Sequence, residues 1–199
     1  KNILGTFYPP KRINIDVEFL STLDHKDVLS GIGEMIKVHA IKGKSSLRSI
    51  SSNYDKLFTN QLKMKEFIKS SLAIKKGIIE LDEFDKGLRN VMNYGHSFGH
   101  AIESATNFYV PHGIAVTIGM DLANFLSYKL KRIKKEDFLI TNMLLRKNYE
   151  PYLSTSISYQ EVLAALDKDK KNTSNEFKLI LPNNSGEIEI VFIIYCNPN

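Results

Sequence analysis

Apolar residues recur three and four positions apart through most of the chain, which predicts a largely helical body. In the segment 25–42, Asp24 is a suitable N-cap and Gly43 a suitable stop. In the segment 60–83, the apolar positions predict a buried stripe of Leu62, Phe67, Ile68, Leu72, Ile78 and Ile79. The segment 113–133 is apolar nearly all round, so it should run through the centre of the domain. Helices are predicted over 25–42, 45–58, 60–83, 87–106, 113–133, 134–149 and 158–166.

Strand-like patterns occur only near the two ends of the chain. Residues 13–17 alternate apolar and polar after Pro9 and Pro10, which predicts a loop followed by a half-buried strand. Residues 177–181 and 187–194 flank a turn-forming stretch, which predicts a hairpin with a loop of about five residues. The predicted fold class is therefore mainly α with a few short strands.

Three of the five histidines lie close together in the sequence. His96 and His100 are four apart in a predicted helix, so their imidazoles project from one face, and His112 opens the next helix. Gly95 and Gly99 should lie inside the helix, where each costs about 1 kcal/mol unless another backbone or a ligand approaches closely. The pattern fits either a metal site or a structural pair. Ser97 stands where His-Glu-x-x-His requires glutamate, so that metalloprotease motif is excluded.

Four charged residues have a functional and a structural interpretation each. Glu34 lies among apolar neighbours, where it could be a further metal ligand, and Lys37 shares its helix face. The alternative is an ordinary intrahelical ion pair. Lys75 and Arg89 could hold a carboxylate or phosphate, or could be solvated cations. The stretch Asp169-Lys170-Lys171-Asn172 has the same two interpretations.

Composition narrows the class of protein. Lysine and arginine number 27 against 22 acidic residues, a net charge of +5 that is scattered along the chain. Nothing in that distribution supports a nucleic acid partner, whereas a small anionic substrate fits it. One cysteine, no signal peptide and no long apolar run predict a soluble cytoplasmic protein without a membrane partner. Because the chain opens at Lys1 without methionine, we expect a piece of something longer.

Separated motifs together resemble the 3-dehydroquinate synthase family. They are Gly33-Glu34-Met35-Ile36-Lys37, Ile74-Lys75, Gly87-Leu88-Arg89, Asn93-Tyr94-Gly95-His96-Ser97-Phe98-Gly99-His100-Ala101-Ile102-Glu103, His112-Gly113, Asp169-Lys170-Lys171 and Leu179-Ile180-Leu181-Pro182. Their order and spacing agree along essentially the whole chain, and Lys1–Tyr8 is similar to the segment that follows the glycine-rich loop of that family.

The resemblance implies the C-terminal helical domain of the dehydroquinate-synthase-like fold, with the N-terminal NAD-binding α/β domain absent. Residues 1–24 would be the connecting loop and strand, and residues 25–199 the metal- and substrate-binding domain with its hairpin. The implied reaction is the NAD- and zinc-dependent conversion of 3-deoxy-arabino-heptulosonate 7-phosphate to 3-dehydroquinate and phosphate, in the shikimate pathway. Cobalt or another divalent cation could replace zinc. A homodimer is implied, and the isolated chain should be inactive.

The resemblance also implies roles for individual residues. The metal ligands would be Glu34, His96 and His112, which differs from the pair that helix geometry suggests. The catalytic and substrate-binding residues would be Lys37, Lys75, Arg89, Asn93, His100 and Lys171, with Asn2 beside the phosphate and Lys170 as the alternative to Lys171. The residues touching NAD would be Lys1, Phe19, Leu20, Ser21 and Thr22.

One departure concerns the substrate. The family usually reads His-Gly-Glu-Ala-Val where this chain has His112-Gly113-Ile114-Ala115-Val116, so a carboxylate expected near the metal is lost. Two alternatives follow. One is another sugar-phosphate cyclase, making a cyclitol of the 2-deoxy-scyllo-inosose or valiolone type, and the other is a non-catalytic helical module.

Overall fold

A computed structural model describes residue 8 and residues 11–82, 87–167 and 176–194 of the chain. Within these residues the protein is mainly helical, and its sheet has two strands. The α-helices are α1 (His25–Lys42), α2 (Lys44–Asn53), α3 (Lys56–Thr59), α4 (Gln61–Leu81), α5 (His96–Ala105), α6 (His112–Lys129), α7 (Lys135–Tyr149) and α8 (Tyr159–Asp167). Shorter 3₁₀ helices cover Val17–Thr22, Leu88–Asn93 and Glu150–Tyr152. None of the helices described is long and apolar enough to span a bilayer.

Helix α1 has the predicted bounds, and backbone groups form both of its ends. The carbonyl of Asp24 accepts the amides of Asp27 and Val28 at 2.9 and 3.2 Å, although the Asp24 side chain makes no capping hydrogen bond. Gly43 ends the helix with φ +118°, a conformation that glycine adopts without steric cost. The predicted stop signal is thereby confirmed.

Helix α6 is the centre of the domain, as its apolar composition predicts. It packs against α1, α5, α7 and the first strand. Ile114, Ala115, Val116 and Met120 are all fully buried. Burying such side chains stabilises the fold by roughly 1.5–3 kcal/mol for each large one, so α6 is the element on which the other helices depend.

A contact between two glycines brings α1 against the beginning of α6. A Cβ atom on Gly33 would lie only 2.3 Å from the carbonyl oxygen of Gly113, so the backbones approach as closely as glycine allows. The amide of Gly113 also donates to Ser30 Oγ at 2.8 Å. Because Glu34 follows Gly33 and His112 precedes Gly113, this contact places a carboxylate beside an imidazole.

The strand predicted over 13–17 is wrong. Residues 11–16 have no regular structure, and the 3₁₀ helix starts at Val17. Ile13 is 72% exposed and Ile15 53% exposed. Alternation alone does not make a strand, since its hydrogen bonds need a neighbouring strand, and the described residues offer none there.

Two other helix predictions need correction. The segment predicted as one helix over 45–58 is divided into α2 and α3, with turn residues at Tyr54 and Asp55. In α4, Leu62 and Leu72 are exposed, and the buried side chains are Met64, Phe67 and Ser71. The apolar surplus of α4 allowed more than one buried face, and packing against α1 selected the one observed.

The C-terminal hairpin has the predicted form. Strand β1 (Glu176–Pro182) pairs antiparallel with β2 (Ile188–Ile194), and five residues connect them. The Asn183 side chain accepts the amides of Ser185 and Glu187 at 3.0 Å each, which holds the loop. The hairpin packs its first strand against α6.

Candidate metal centre

The histidine helix α5 begins at His96, one residue after Gly95. Gly95 has φ +76°, in the left-handed region, and the preceding Leu88–Asn93 is a 3₁₀ helix. The predicted single helix over 87–106 is therefore wrong, and Gly95 serves as a turn residue outside α5. The expected close approach is present nevertheless. A Cβ on Gly119 would lie 2.1 Å from the Gly95 carbonyl oxygen, and one on Gly99 would lie 3.0 Å from Val116 Cα.

Three imidazoles meet where α5 and α6 begin. His96 and His100 have ring centroids 5.3 Å apart, as their shared helix face predicts. The centroid of His112 lies 5.3 Å from that of His96 and 5.7 Å from that of His100. One potential ligand atom from each residue lies within 4.8 Å of those of the other two. A single cation could contact nitrogens from all three side chains.

Glu34 reaches this cluster from α1. Its Oε1 lies 3.9 Å from His96 Nε2 and 3.7 Å from His112 Nε2, while its Oε2 accepts from Lys37 Nζ at 2.8 Å. One oxygen of Glu34 forms the predicted ion pair and the other faces the imidazoles, so the role of Glu34 as a metal ligand stays a prediction. Among the described residues, the buried Oε1 has no hydrogen-bond partner.

The remaining ring nitrogens of two histidines have oxygen partners. His96 Nδ1 lies 3.3 Å from the Tyr94 carbonyl oxygen, and His112 Nδ1 lies 2.9 Å from Glu103 Oε2. Since both partners accept, each Nδ1 carries a proton, and in each ring Nε2 is the nitrogen that faces Glu34.

Glu103 is a site residue to which the sequence interpretation assigned no role. It is only 8% exposed and accepts from His112, the arrangement by which carboxylates orient metal-binding histidines. A signal was present in the sequence. His96, His100 and Glu103 are at positions i, i+4 and i+7 of one helix, which places them on the same face.

The electrostatics keep His96 neutral. Burial, reinforced by the Lys37 charge, lowers the pKa of His96 to about 3. Burial alone would raise the pKa of Glu34, but the Lys37 ion pair and the two histidines outweigh it, so this pKa is lowered. Burial also lowers the pKa of Lys37, opposed by Glu34. A neutral imidazole and a carboxylate are the forms that bind metal.

The donor set fits a divalent cation of the zinc type. Zinc takes imidazole nitrogens and carboxylate oxygens, and its catalytic sites combine three protein ligands with an open position. Glu34, His96 and His112 offer such a set, and His100 is close enough to be a further ligand or to contact a bound molecule. A buried carboxylate oxygen left without a hydrogen bond is otherwise costly, which favours a cation facing it.

The predicted substrate-binding cations lie around this cluster to different extents. Lys37 is buried, with its side chain 4% exposed, and Nζ is 3.5 Å from His96 Nε2. Lys75 is exposed on α4, and its charge adds slightly to the burial that lowers the pKa of Lys37. Arg89 and Asn93 belong to the 3₁₀ helix Leu88–Asn93, which is anchored where the Arg89 amide donates to Asp82 Oδ2 at 2.9 Å.

The predicted NAD contacts fall in the first 3₁₀ helix. Ser21 and Thr22 donate their hydroxyls to the carbonyls of Glu18 and Phe19, and Leu20 packs against the core. Phe19 is 73% exposed. Four predicted site residues, Lys1, Asn2, Lys170 and Lys171, lie outside the described residues.

The fold and the site define a helical domain with a candidate metal centre between α1, α5 and α6. The chain belongs to the family of 3-dehydroquinate synthase C-terminal domains, whose sequence profile matches residues 31–172. This finding confirms the family and the fold class that the sequence motifs indicate.

Curated relatives carry the same family name. The chain is 34% identical to a 3-dehydroquinate synthase of Thermoanaerobacter sp. (strain X514) over 195 residues, which are 97% of this chain and 55% of that protein. It is 37% identical to a 3-dehydroquinate synthase of Campylobacter fetus subsp. fetus (strain 82-40) over 188 residues, 94% of this chain and 53% of that protein. The chain thus spans about half the length of these relatives.

Solved structures share the fold at lower identity. A 2-deoxy-scyllo-inosose synthase complexed with carbaglucose-6-phosphate, NAD⁺ and Co²⁺ superposes with a TM-score of 0.80 at 21% identity, covering 98% of this chain and 56% of that one. A 2-epi-5-epi-valiolone synthase from Streptomyces hygroscopicus subsp. jinggangensis with NAD⁺ and Zn²⁺ bound gives 0.81 at 23% identity, covering 98% and 55%.

Proposed function

We propose that this chain is the metal- and substrate-binding half of a 3-dehydroquinate synthase. The observation that carries the proposal is the convergence of Glu34 Oε1 with the Nε2 atoms of His96 and His112 beside a buried lysine. The family and its curated relatives support the particular enzyme. The metal would be zinc or another divalent cation such as cobalt, as the two solved relatives with Zn²⁺ and Co²⁺ suggest.

The proposed whole protein has two parts. Residues 25–199 would form the metal- and substrate-binding domain, and residues 1–24 would connect it to an N-terminal domain that carries most of the NAD site. Phe19, Leu20, Ser21 and Thr22 would touch the dinucleotide from the connecting segment, together with Lys1. The proposed protein is cytoplasmic and homodimeric, and acts in the shikimate pathway.

The proposed substrate is 3-deoxy-arabino-heptulosonate 7-phosphate, and the products are 3-dehydroquinate and phosphate. A bound divalent cation supplies Lewis acidity to hydroxyl groups of the sugar acid. NAD held by the connecting segment would supply reversible hydride transfer. The reaction is therefore a phosphate elimination and ring closure, with no net oxidation.

The charged residues of the chain would bind and orient this molecule, which carries both a phosphate and a carboxylate. Lys37, Asn93 and His100 are proposed to surround the phosphate, whose departure they assist by neutralising the developing charge. Lys75, Arg89 and Lys170 or Lys171 are proposed to bind the carboxylate and ring hydroxyls. Lys37 is already held by its 2.8 Å ion pair with Glu34, so little reorganisation would be needed on binding.

The ligand assignment is tested by His96→Ala in the full-length protein. We expect loss of bound zinc, measured by elemental analysis, and loss of phosphate release from the heptulosonate phosphate. The matched control is His25→Ala, because His25 is exposed at the start of α1, where its ring centroid lies 5.5 Å from that of Phe58 in a tilted arrangement. Unchanged zinc content in His96→Ala would refute the assignment.

A second experiment identifies the substrate. It is needed because Ile114 departs from the family pattern. The family pattern has glutamate there, whereas Ile114 is fully buried in the apolar core of this chain. Full-length protein with NAD, zinc and the heptulosonate phosphate should form dehydroquinate. Turnover of another sugar phosphate instead would favour a cyclase of the cyclitol type. The 199-residue chain alone should show no turnover.

A further inference from the structure

A cavity lies on the side of the domain formed by α2, α6, α7 and the hairpin loop. Its volume is about 450 Å³, within the range of roughly 300–1,000 Å³ that is typical of small-molecule sites. None of the candidate metal ligands lines it. The cavity is therefore separate from the candidate metal centre.

The inner wall of this cavity is apolar and comes from four separate elements. Leu47, Ile133, Ile140, Leu144 and Ile188 all line it. Ile133 and Leu144 are buried, whereas Ile140 is 56% exposed. An aromatic or aliphatic body placed there would cover exposed apolar surface, which is favourable by about 25 cal/mol per Å².

A buried amide on α6 also lines the cavity. Asn124 is 3% exposed, and its Nδ2 donates to no partner within the described part of the chain. The amide is near enough to the Tyr94 hydroxyl to oppose the rise in the pKa of Tyr94 that burial causes, but the two groups form no hydrogen bond of normal length and angle. A donor buried without a partner is destabilising, so an acceptor on a bound molecule would repay its cost.

One positive charge remains unpaired at the edge of the cavity. Lys44 donates to Asp137 Oδ2 at 3.1 Å and to the Asn184 carbonyl at 2.9 Å, so its charge is balanced. Arg48, one helical turn further along α2, is exposed, and no hydrogen bond or ion pair to a described residue engages its guanidinium. The local charge is thus complementary to a single anion.

We propose that this cavity binds a small organic monoanion with an apolar body. Its carboxylate would pair with Arg48, the body would lie against Leu47, Leu144 and the neighbouring isoleucines, and a hydroxyl or carbonyl oxygen would accept from Asn124. The proposal is independent of the enzymatic function above, because it involves neither the metal ligands nor the substrate-binding cations.

In the test, the full-length protein is stripped of metal and titrated with 6-hydroxy-2-naphthoate by isothermal calorimetry. We expect saturable binding of one molecule per chain, and binding about tenfold weaker in Arg48→Gln because a charge-assisted hydrogen bond is lost. Ser51→Trp should abolish binding, since Ser51 is an exposed residue of the cavity rim and an indole there fills the mouth.

Arg146→Gln is the matched control, since Arg146 is an exposed arginine on α7 outside the cavity lining. It should bind the naphthoate as the wild type does, and circular dichroism should show the same helix content in every variant. Absence of saturable binding would overturn the proposal. Equal affinity in wild type, Arg48→Gln and Ser51→Trp would overturn it as well, as would binding that is lost only in His96→Ala.

Discussion

Glu103 accepts a hydrogen bond from Nδ1 of His112, a candidate metal ligand, at 2.9 Å. We expect Glu103→Ala to lower metal affinity by roughly 10- to 100-fold, because His112 would no longer be held with its proton on Nδ1. Glu103→Gln keeps an acceptor and should recover part of the loss. The measurement is a competition titration against a chromophoric chelator. Glu136→Ala, at an exposed acidic position of α7, is the control. Equal affinity in wild type and Glu103→Ala would contradict this role.

His39 should make the stability of the domain depend on pH. It is 2% exposed, its Nδ1 lies 2.7 Å from Ser46 Oγ, and burial lowers its pKa below the ordinary 6.5. As the pH drops below about 6.5, His39 therefore takes up a proton in the unfolded chain more readily than in the folded chain. This difference lowers the free energy of unfolding.

The corresponding variant is His39→Gln, which does not titrate and can still bond to Ser46. Its free energy of unfolding should fall less than that of the wild type between about pH 7.5 and about pH 5, as measured by urea denaturation. His96, whose pKa is also lowered, would retain part of the dependence in both proteins. His25→Gln, at an exposed position, should keep the wild-type slope, and an identical slope in His39→Gln would exclude this explanation.

At the scale of elements, the crossing of α1 and α6 positions Glu34. We expect Gly33→Ala to destabilise the fold by about 1–3 kcal/mol, because its Cβ would clash with the Gly113 carbonyl. Because Glu34 follows Gly33, displacement of α1 should also weaken metal binding at the candidate site. Thermal unfolding and the chelator competition measure the two effects.

Gly31→Ala provides the matched control within the same helix. A Cβ at Gly31 would meet nothing within 4 Å, so the change should stabilise the protein by about 0.5–1 kcal/mol through helix propensity alone. Metal affinity should be unaffected. If both alanine variants behaved alike, the glycine contact would not be what sets the distance between α1 and α6.

At the scale of the whole molecule, one buried side chain joins four segments. Asn148 on α7 is fully buried, accepts from Tyr54 at 3.0 Å, and donates to the Leu29 carbonyl at 3.2 Å and to Thr117 Oγ1 at 3.1 Å. It thereby connects α1, α6, α7 and the turn after α2. Such a network specifies one arrangement of the helices around the site.

We expect Asn148→Leu to lower the free energy of unfolding by about 2–4 kcal/mol, because buried partners lose their hydrogen bonds. Tyr54→Phe removes one of those partners, so the double variant should be less destabilised than the sum of the single ones. Chemical denaturation of the four proteins completes the cycle. Strict additivity would show that Asn148 and Tyr54 do not interact energetically.

Local sequence signals predict elements well where the element depends on its own residues. Gly43 ends α1 and the turn after Pro182 forms the hairpin, because each needs only nearby backbone hydrogen bonds. Local signals fail where the structure of a segment depends on another element that packs against it. Ile13 and Ile15 alternate like a strand, but no other strand among the described residues pairs with them, and the buried face of α4 depends on α1.

The candidate site likewise contains residues that local periodicity brings together and residues that it does not. Helix periodicity places His96 and His100 on one face, and the resemblance to a family adds Glu34 and His112. The structure brings these four residues together, while the choice of metal ligands among them stays a prediction.

The sequence by itself determined helices such as α1, α4 and α7, the hairpin and the shared face of the two histidines, because periodicity acts over a few residues. Only the tertiary structure decided that Glu34 meets His96 and His112, since that contact requires the glycines of α1 and α6 to pack backbone against backbone. It likewise decided the partner of Glu103 and the cavity beside Asn124. Contacts between residues distant in sequence are set by the packing of whole helices, which no local pattern records.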